Sequence, residues 1–282
     1  MLIRHLPLLN FFVAVVMFSI GLRVSGGELL DVMRNRRLLM RTLVANCLLI
    51  PAIGFLLVHI FPLTPDASVG ILLLAAIPRT PIALQFTRKA KTRLAFAAAM
   101  TFVLSLVSLA MAPLAIEVMP QAAQRSETRI LRLVVSIVLF IGLPLCGGLW
   151  LARRAPKIAP KLVLPLGVLA SIVFVFLVWE TRLVRREAFD AIRGRGTILA
   201  MALLLLLSML IGWFSGGPDS ESRRVLATST GMRSVIVVLY IARYCFPGTG
   251  VYMVPIVYLS LMVPTNLLFH FAFTGWHKWR PG

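Results

Sequence analysis

Two arginines stand where a permanent charge needs a reason to be. Arg79 falls in the apolar stretch 68–87, within Ala76-Ile77-Pro78-Arg79-Thr80-Pro81-Ile82. Arg233 falls in the stretch 225–244, within Ala227-Thr228-Ser229-Thr230-Gly231-Met232-Arg233-Ser234. A guanidinium stays charged at any physiological pH and presents a planar fork of donors matched to carboxylate, sulfate or phosphate. Each lies near the middle of its stretch, where a charge surrounded by hydrocarbon costs at least about 2.5 to 3.5 kcal/mol. Both sit beside helix-breaking signals. Pro78 and Pro81 lack a backbone N–H, Pro81 would clash with a carbonyl one turn back, and Gly231 follows a polar run, so both stretches are expected to unwind and free backbone groups that lipid cannot satisfy. An arginine can bond carbonyls purely for packing, and a membrane proline is more often a simple kink. The coincidence of two breaks, two arginines and matching placement favours a solute site, with Arg79, Arg233, Thr80, Ser229, Thr230 and Asn46 as its candidate residues and Pro78, Pro81 and Gly231 as its helix breaks.

Other chemistry is poorly supplied. HExxH and GxSxG motifs are absent, and His5, His59, His270 and His277 lie at or near the ends of apolar stretches. None of the ten acidic residues is central to a stretch: Glu117 and Glu180 are at ends, and Asp66 and Glu127 are in connections. A general acid, a base or a proton relay therefore has no carboxylate to use, and an enzyme is not expected. Cys47, Cys146 and Cys245 are far apart, without CxxC or Cys/His spacing, so they read as packing residues rather than metal ligands or a disulfide framework. No cofactor is expected.

The elements that must position the two arginines are membrane spans. The 282 residues are 59% hydrophobic and only 14% charged, with a mean hydropathy of +0.92, against roughly 25% charged in an ordinary soluble domain. Apolar stretches of the length a helix needs to cross about 30 Å of hydrocarbon recur at 6–23, 42–61, 68–87, 94–119, 130–151, 162–180, 197–214, 225–244 and 250–274. The pattern predicts an all-α polytopic membrane protein of about nine spans. The first stretch follows Arg4 and His5 as a signal peptide would, but no small-residue cleavage site follows it, so it is read as a helix.

The formal charge of +19 lies in short clusters between spans. That distribution points to anionic lipid headgroups rather than nucleic acid. The groups at 34–41, 88–93, 153–161, 223–224 and 278–280 fall on one side and outnumber those on the other, including the cluster 182–195. The positive-inside rule then puts the N-terminus outside and the C-terminus in the cytoplasm, with the bacterial inner (plasma) membrane as the expected location. The third and eighth spans, which carry the breaks, are five apart. This is the spacing of a five-helix inverted repeat whose first copy lacks its leading helix: one transmembrane unit over 1–282, with repeats at 1–120 and 130–274 and two discontinuous helices crossing.

Met17-Phe18-Ser19-Ile20-Gly21-Leu22, the run Gly70-Ile71-Leu72-Leu73-Leu74-Ala75-Ala76-Ile77-Pro78, and Arg223-Arg224 followed by Thr230-Gly231-Met232 together resemble the bile acid:sodium symporter family in its nine-helix form. The resemblance covers nearly the whole chain. It implies a core and a panel, two unwound helices crossing at mid-membrane, and alternating access for an organic anion. The site matches less well than the scaffold. Where the family has Pro-Gly-Gly and then Ser-Asn, this chain has Pro78-Arg79-Thr80 and then Ala83-Leu84, and where the family carries Glu and Gln around a Gly-Met pair it has Ser229 and Arg233. Asn46 ahead of Pro51, Thr101, Thr230 and Met232 are the residual sodium-site candidates, and Ala97 replaces a hydroxyl residue nearby. Sodium is a hard cation held by oxygen ligands, so this residue set argues against sodium coupling. The expectation is a secondary transporter of a small organic anion in which Arg79 and Arg233 supply the positive charge that sodium ions would bring. The alternative is a non-transporting relative acting as a membrane sensor or scaffold.

Overall fold

The computed structural model describes residues 6–24, 27, 30, 33–78, 100, 102–108, 110–112, 114–115, 127–180, 182–192, 194, 196–218 and 220–276. Among the described residues the elements are helical, with no strand. In chain order they are α1 (Leu6–Arg23), α2 (Arg36–Ile60), α3 (Pro65–Ala76), α4 (Phe102–Ala112), α5 (127–154), α6 (Ala159–Glu180), α7 (Arg182–Ile192), α8 (Thr197–Ser215), α9 (Ser220–Gly231), α10 (Val235–Cys245) and α11 (Met253–Trp276). By length and composition six described helical segments can cross a membrane, and three shorter apolar ones, from α1, α3 and α4, fall where the remaining spans are expected.

Helix starts and bends follow local chemistry. Thr64 caps α3, its Oγ1 accepting from the Ala67 N–H at 3.3 Å, with Pro65 in the first turn where its missing N–H costs nothing. α2 begins about a turn and a half ahead of its apolar stretch, because Asn35 accepts from the Leu38 N–H and the basic run Arg36–Arg41 continues as helix into the apolar part. Within α2 the turn Ala45–Leu49 is π-helical, with only Ile50 between it and Pro51; within α5 the turn Val138–Gly142 is π-helical, with only Leu143 between it and Pro144. In both, the widened turn makes room for a proline ring that a tight α-turn would push into the carbonyl four residues back.

Small residues set how closely the helices pack. A Cβ at Gly148 of α5 would collide with the Phe18 carbonyl of α1, and one at Gly212 of α8 with the Leu226 carbonyl of α9. α1 packs on α5 and α6, while α2, α3, α8, α9, α10 and α11 pack on one another. α10 also reaches α5 and α1: the Ser136 hydroxyl donates to the Tyr244 hydroxyl at 3.2 Å, and the Tyr240 hydroxyl donates to Asn10 Oδ1.

The outer surface is the apolar one. Leu48, Phe55, Leu143, Ile172, Val175, Leu206 and Phe214 are exposed, and Trp150 and Trp179 are exposed near helix ends, as in an interfacial aromatic belt. The segment Ala159–Phe176 of α6 is only 11% buried and so faces lipid, whereas Ser222–Cys245 is 89% buried and runs through the interior. The protein is an all-α polytopic integral membrane protein.

α7 was not anticipated, since 182–195 reads as a basic connection. It is a short helix that buries Ala188 and Ile192 and packs on α11, with Arg186, Glu187 and Asp190 exposed. Its eleven residues are too few and too polar to register as a span.

Candidate functional site

The segment Ser222–Cys245 has the length and hydropathy of one span, but its backbone is broken in the middle. α9 ends at Gly231 and α10 starts at Val235. The Arg233 N–H donates to the Gly231 carbonyl at 3.1 Å and the Val235 N–H to the Arg233 carbonyl at 2.9 Å, two successive three-residue turns. Ser234, at φ −79 and ψ 71, has the dihedrals of an inverse γ-turn. The Gly231 carbonyl also accepts from the Tyr258 hydroxyl of α11 at 2.8 Å. A Cβ on Gly231 would strike Met209 of α8, so the residue that ends the helix is also the one that lets α8 approach.

The first expected break falls at the C-terminal end of α3. Ile77 leaves the helix in extended conformation at φ −100 and ψ 110, and its N–H makes the last α-type bond, to Leu73 O at 3.1 Å. The next N–H in register would come from residue 78 and bond Leu74 O, but residue 78 is proline. The Leu74 carbonyl is thereby orphaned, and a buried carbonyl without a donor costs about 1 to 3 kcal/mol.

Arg233 repairs that loss. Its Nε donates to Leu74 O at 2.9 Å, one terminal nitrogen (Nη1) donates to Asn46 Oδ1 of α2 at 2.9 Å, and the other (Nη2) donates to Ala75 O. The side chain is 0% exposed, as is Asn46. Asn46 is held in turn: its Nδ2 donates to Thr42 O at 3.0 Å, and the Thr42 hydroxyl donates to Leu38 O at 2.8 Å. The π-turn of α2 therefore sets an amide oxygen toward the guanidinium and an amide nitrogen back along its own helix. The Ser108 hydroxyl of α4 donates to the Pro78 carbonyl. The end of α3 and the interrupted segment α9–α10 meet, and their junction is closed by a buried cation gripping neutral oxygens from α2 and α3.

Among the residues expected at the site, Arg233 and Asn46 are brought together. Ser229 and Thr230 are buried in the last turn of α9, the Ser229 hydroxyl donating back to Leu226 O at 3.1 Å, and Met232 is buried in the turn itself. Pro78 and Gly231 stand at the two breaks. Arg79, Thr80, Pro81, Ala83, Leu84, Ala97 and Thr101 lie outside the described residues. Tyr258, Thr42 and Ser108 were missed. Each is a polar side chain on an apolar stretch, the one signal that points to them: Tyr258 and Ser108 bond the carbonyls of Gly231 and Pro78, and Thr42 holds Asn46 through its own carbonyl. The cysteines are free; Cys245 is buried, whereas Cys146 is exposed rather than packed.

Comparison with curated proteins gives no match. The sodium bile acid symporter family matches residues 10–186, from α1 through α7 and including the first helix break; Arg233 lies beyond the matched stretch. Members of that family are transporters rather than enzymes. With more than half of its length matched, on an all-helical membrane fold, the chain belongs to the sodium bile acid symporter family.

Proposed function

We propose that this protein is a secondary transporter that moves a small organic anion across the cell membrane by alternating access, without conventional sodium coupling. The observation that carries the reading is the junction of two broken helices around a buried, permanently charged Arg233. α3 and α9 have 12 residues each and are about 18 Å long at 1.5 Å per residue, against about 30 Å of hydrocarbon, so their ends meet inside the membrane rather than at its faces. Discontinuous helices that end together at that depth are how transporters build a solute site from backbone dipoles.

Charge favours an anion. The two acidic residues of these segments, Asp66 of α3 and Glu221 of α9, lie in the first turns, at the ends remote from the junction, and α10 begins at the junction with its N-terminal, positive end, which offsets the negative end of α9. Arg233 has no exposed surface, so in this conformation a solute feels its field across a short low-dielectric gap rather than its N–H groups. Arg79, two positions after the helix cap Ile77, is the residue proposed to touch the solute, and Thr80, Ser229, Thr230 and Asn46 are the further proposed site residues. The proposed topology has the N-terminus outside and the C-terminus in the cytoplasm, and the two halves are proposed to be inverted repeats. Lipid headgroups are the proposed partners of the basic clusters.

The grip of Arg233 on three protein oxygens favours one second reading, a locked relative acting as a sensor or scaffold. A screen of organic anions by thermal unfolding of the purified protein, in sodium and in potassium salts, tests the transport reading at the level of binding. Carboxylates, sulfonates or phosphates that raise Tm equally in both salts are expected, since a ligand of the folded state stabilises it by RT ln(1 + [L]/Kd). Stabilisation that needs sodium, or none by any anion, would count against the reading.

A further inference from the structure

We infer that the junction of the broken helices is a binding site for a small monovalent cation, permanently occupied by the chain's own Arg233 guanidinium. Among its ligands are three neutral oxygens of described residues, the Leu74 and Ala75 carbonyls and Asn46 Oδ1. Leu74 O and Ala75 O point out of the C-terminal end of α3, which carries the negative end of that helix's dipole. Pro78 guarantees that the end stays open, because it supplies no N–H to Leu74 O. The end of α9 and the start of α10 flank Arg233 with opposite dipole signs and offset each other, leaving the α3 end as the partial charge to be neutralised. Asn46 is pre-set with its oxygen inward by the Nδ2 bond to Thr42 O. A set of carbonyl and amide oxygens at a helix C-terminus is attractive to any desolvated cation of suitable size, and here the cation is covalently attached.

The functional consequence rests on the transport reading above and deepens it. A diffusible ion at this site would bring its charge and its gradient into every cycle, whereas a tethered guanidinium brings the charge and leaves no ion to be released on the far side. The junction is then held closed and electropositive with no ion gradient entering at this point.

Chemical rescue tests the site. Arg233→Ala empties it, and the thermal unfolding of the variant in detergent is followed as guanidinium chloride is added at concentrations far below denaturing ones, with choline chloride at equal ionic strength as control. The expected result is a lowered Tm that rises with guanidinium but not with choline. Wild type should not rise, and Arg233→Ala combined with Asn46→Leu should lose the rescue. Sodium or potassium raising the Tm of Arg233→Ala above the choline control supports the same site. No response of Arg233→Ala to guanidinium, sodium or potassium beyond choline, or an equal rise in wild type, overturns the inference. If Arg233→Ala cannot be obtained folded, Arg233→Lys and Arg233→Gln decide instead: the site predicts Lys above Gln in Tm, and Gln equal to or above Lys overturns it. The measurement involves no solute, so rescue without transport would remove the transport reading alone, and transport without rescue would remove this one alone.

Discussion

Pro78 and Arg233 are complementary residues 155 positions apart: one withholds a donor from Leu74 O and the other provides it. The same logic operates at Gly231, whose carbonyl ends α9 and is taken up by the Tyr258 hydroxyl. Tyr258 is fully buried, so its hydroxyl exists at that position for the bond it makes. Tyr258→Phe keeps the ring and removes only that donor. Because Gly231 O still accepts from the Arg233 N–H, the loss should be that of an ordinary hydrogen bond, about 0.5 to 1.5 kcal/mol, read as a modest fall in Tm with fold and helix content retained. A loss several times larger would mean that the Arg233 turn collapses without Tyr258. At this scale the sequence names the charged partner and Asn46 but not the backbone acceptors. A mid-span arginine is visible as an anomaly, whereas Leu74 and Ala75 take part through backbone oxygens that any residue possesses, and only the fold selects them.

Between elements, the guanidinium acts as a substitute for a helical turn. If Leu74 O is held by Arg233 because Pro78 cannot hold it, the two residues are energetically coupled although they belong to different spans. Pro78→Ala restores an N–H at the register of Leu74 O and allows α3 to extend. Arg233→Gln should therefore cost less stability in the Pro78→Ala background than in wild type, with a coupling of about 0.5 to 3 kcal/mol in a double-mutant cycle of unfolding free energies. Strict additivity would indicate that the stabilisation by Arg233 does not come from the bond to Leu74 O. The ends of α3 and α9 fall at Pro78 and Gly231, residues that alter the backbone itself and so can be seen in the sequence. The early start of α2 and the whole of α7 were not legible on the same grounds. α2 begins in a basic run and α7 is amphipathic and short, and both form because the surrounding helices give their apolar residues something to pack on, a term that hydropathy along the chain does not contain.

For the molecule as a whole, the packing separates α1, α5 and α6 from the helices that carry the junction, with α10 bridging to α5 and α1 through Tyr244 and Tyr240. The lipid-facing exposure of α6 and the burial of Ser222–Cys245 put the junction in the interior and the apolar side chains outside. Membrane class and family could be read from the chain because the bilayer constrains length and polarity so strictly. Solute and coupling could not, since they depend on which donors face a shared cavity. The central claim is that this member of a symporter family moves an anion around a fixed cation. Solute counterflow in proteoliposomes tests it most directly: vesicles loaded with an anion that stabilises the protein are diluted into trace labelled anion, in sodium medium and in potassium medium. Transient uphill accumulation of label, of equal size in both media and absent from protein-free vesicles, is the predicted result. Counterflow that vanishes when sodium is replaced, or no counterflow in either medium, would contradict it.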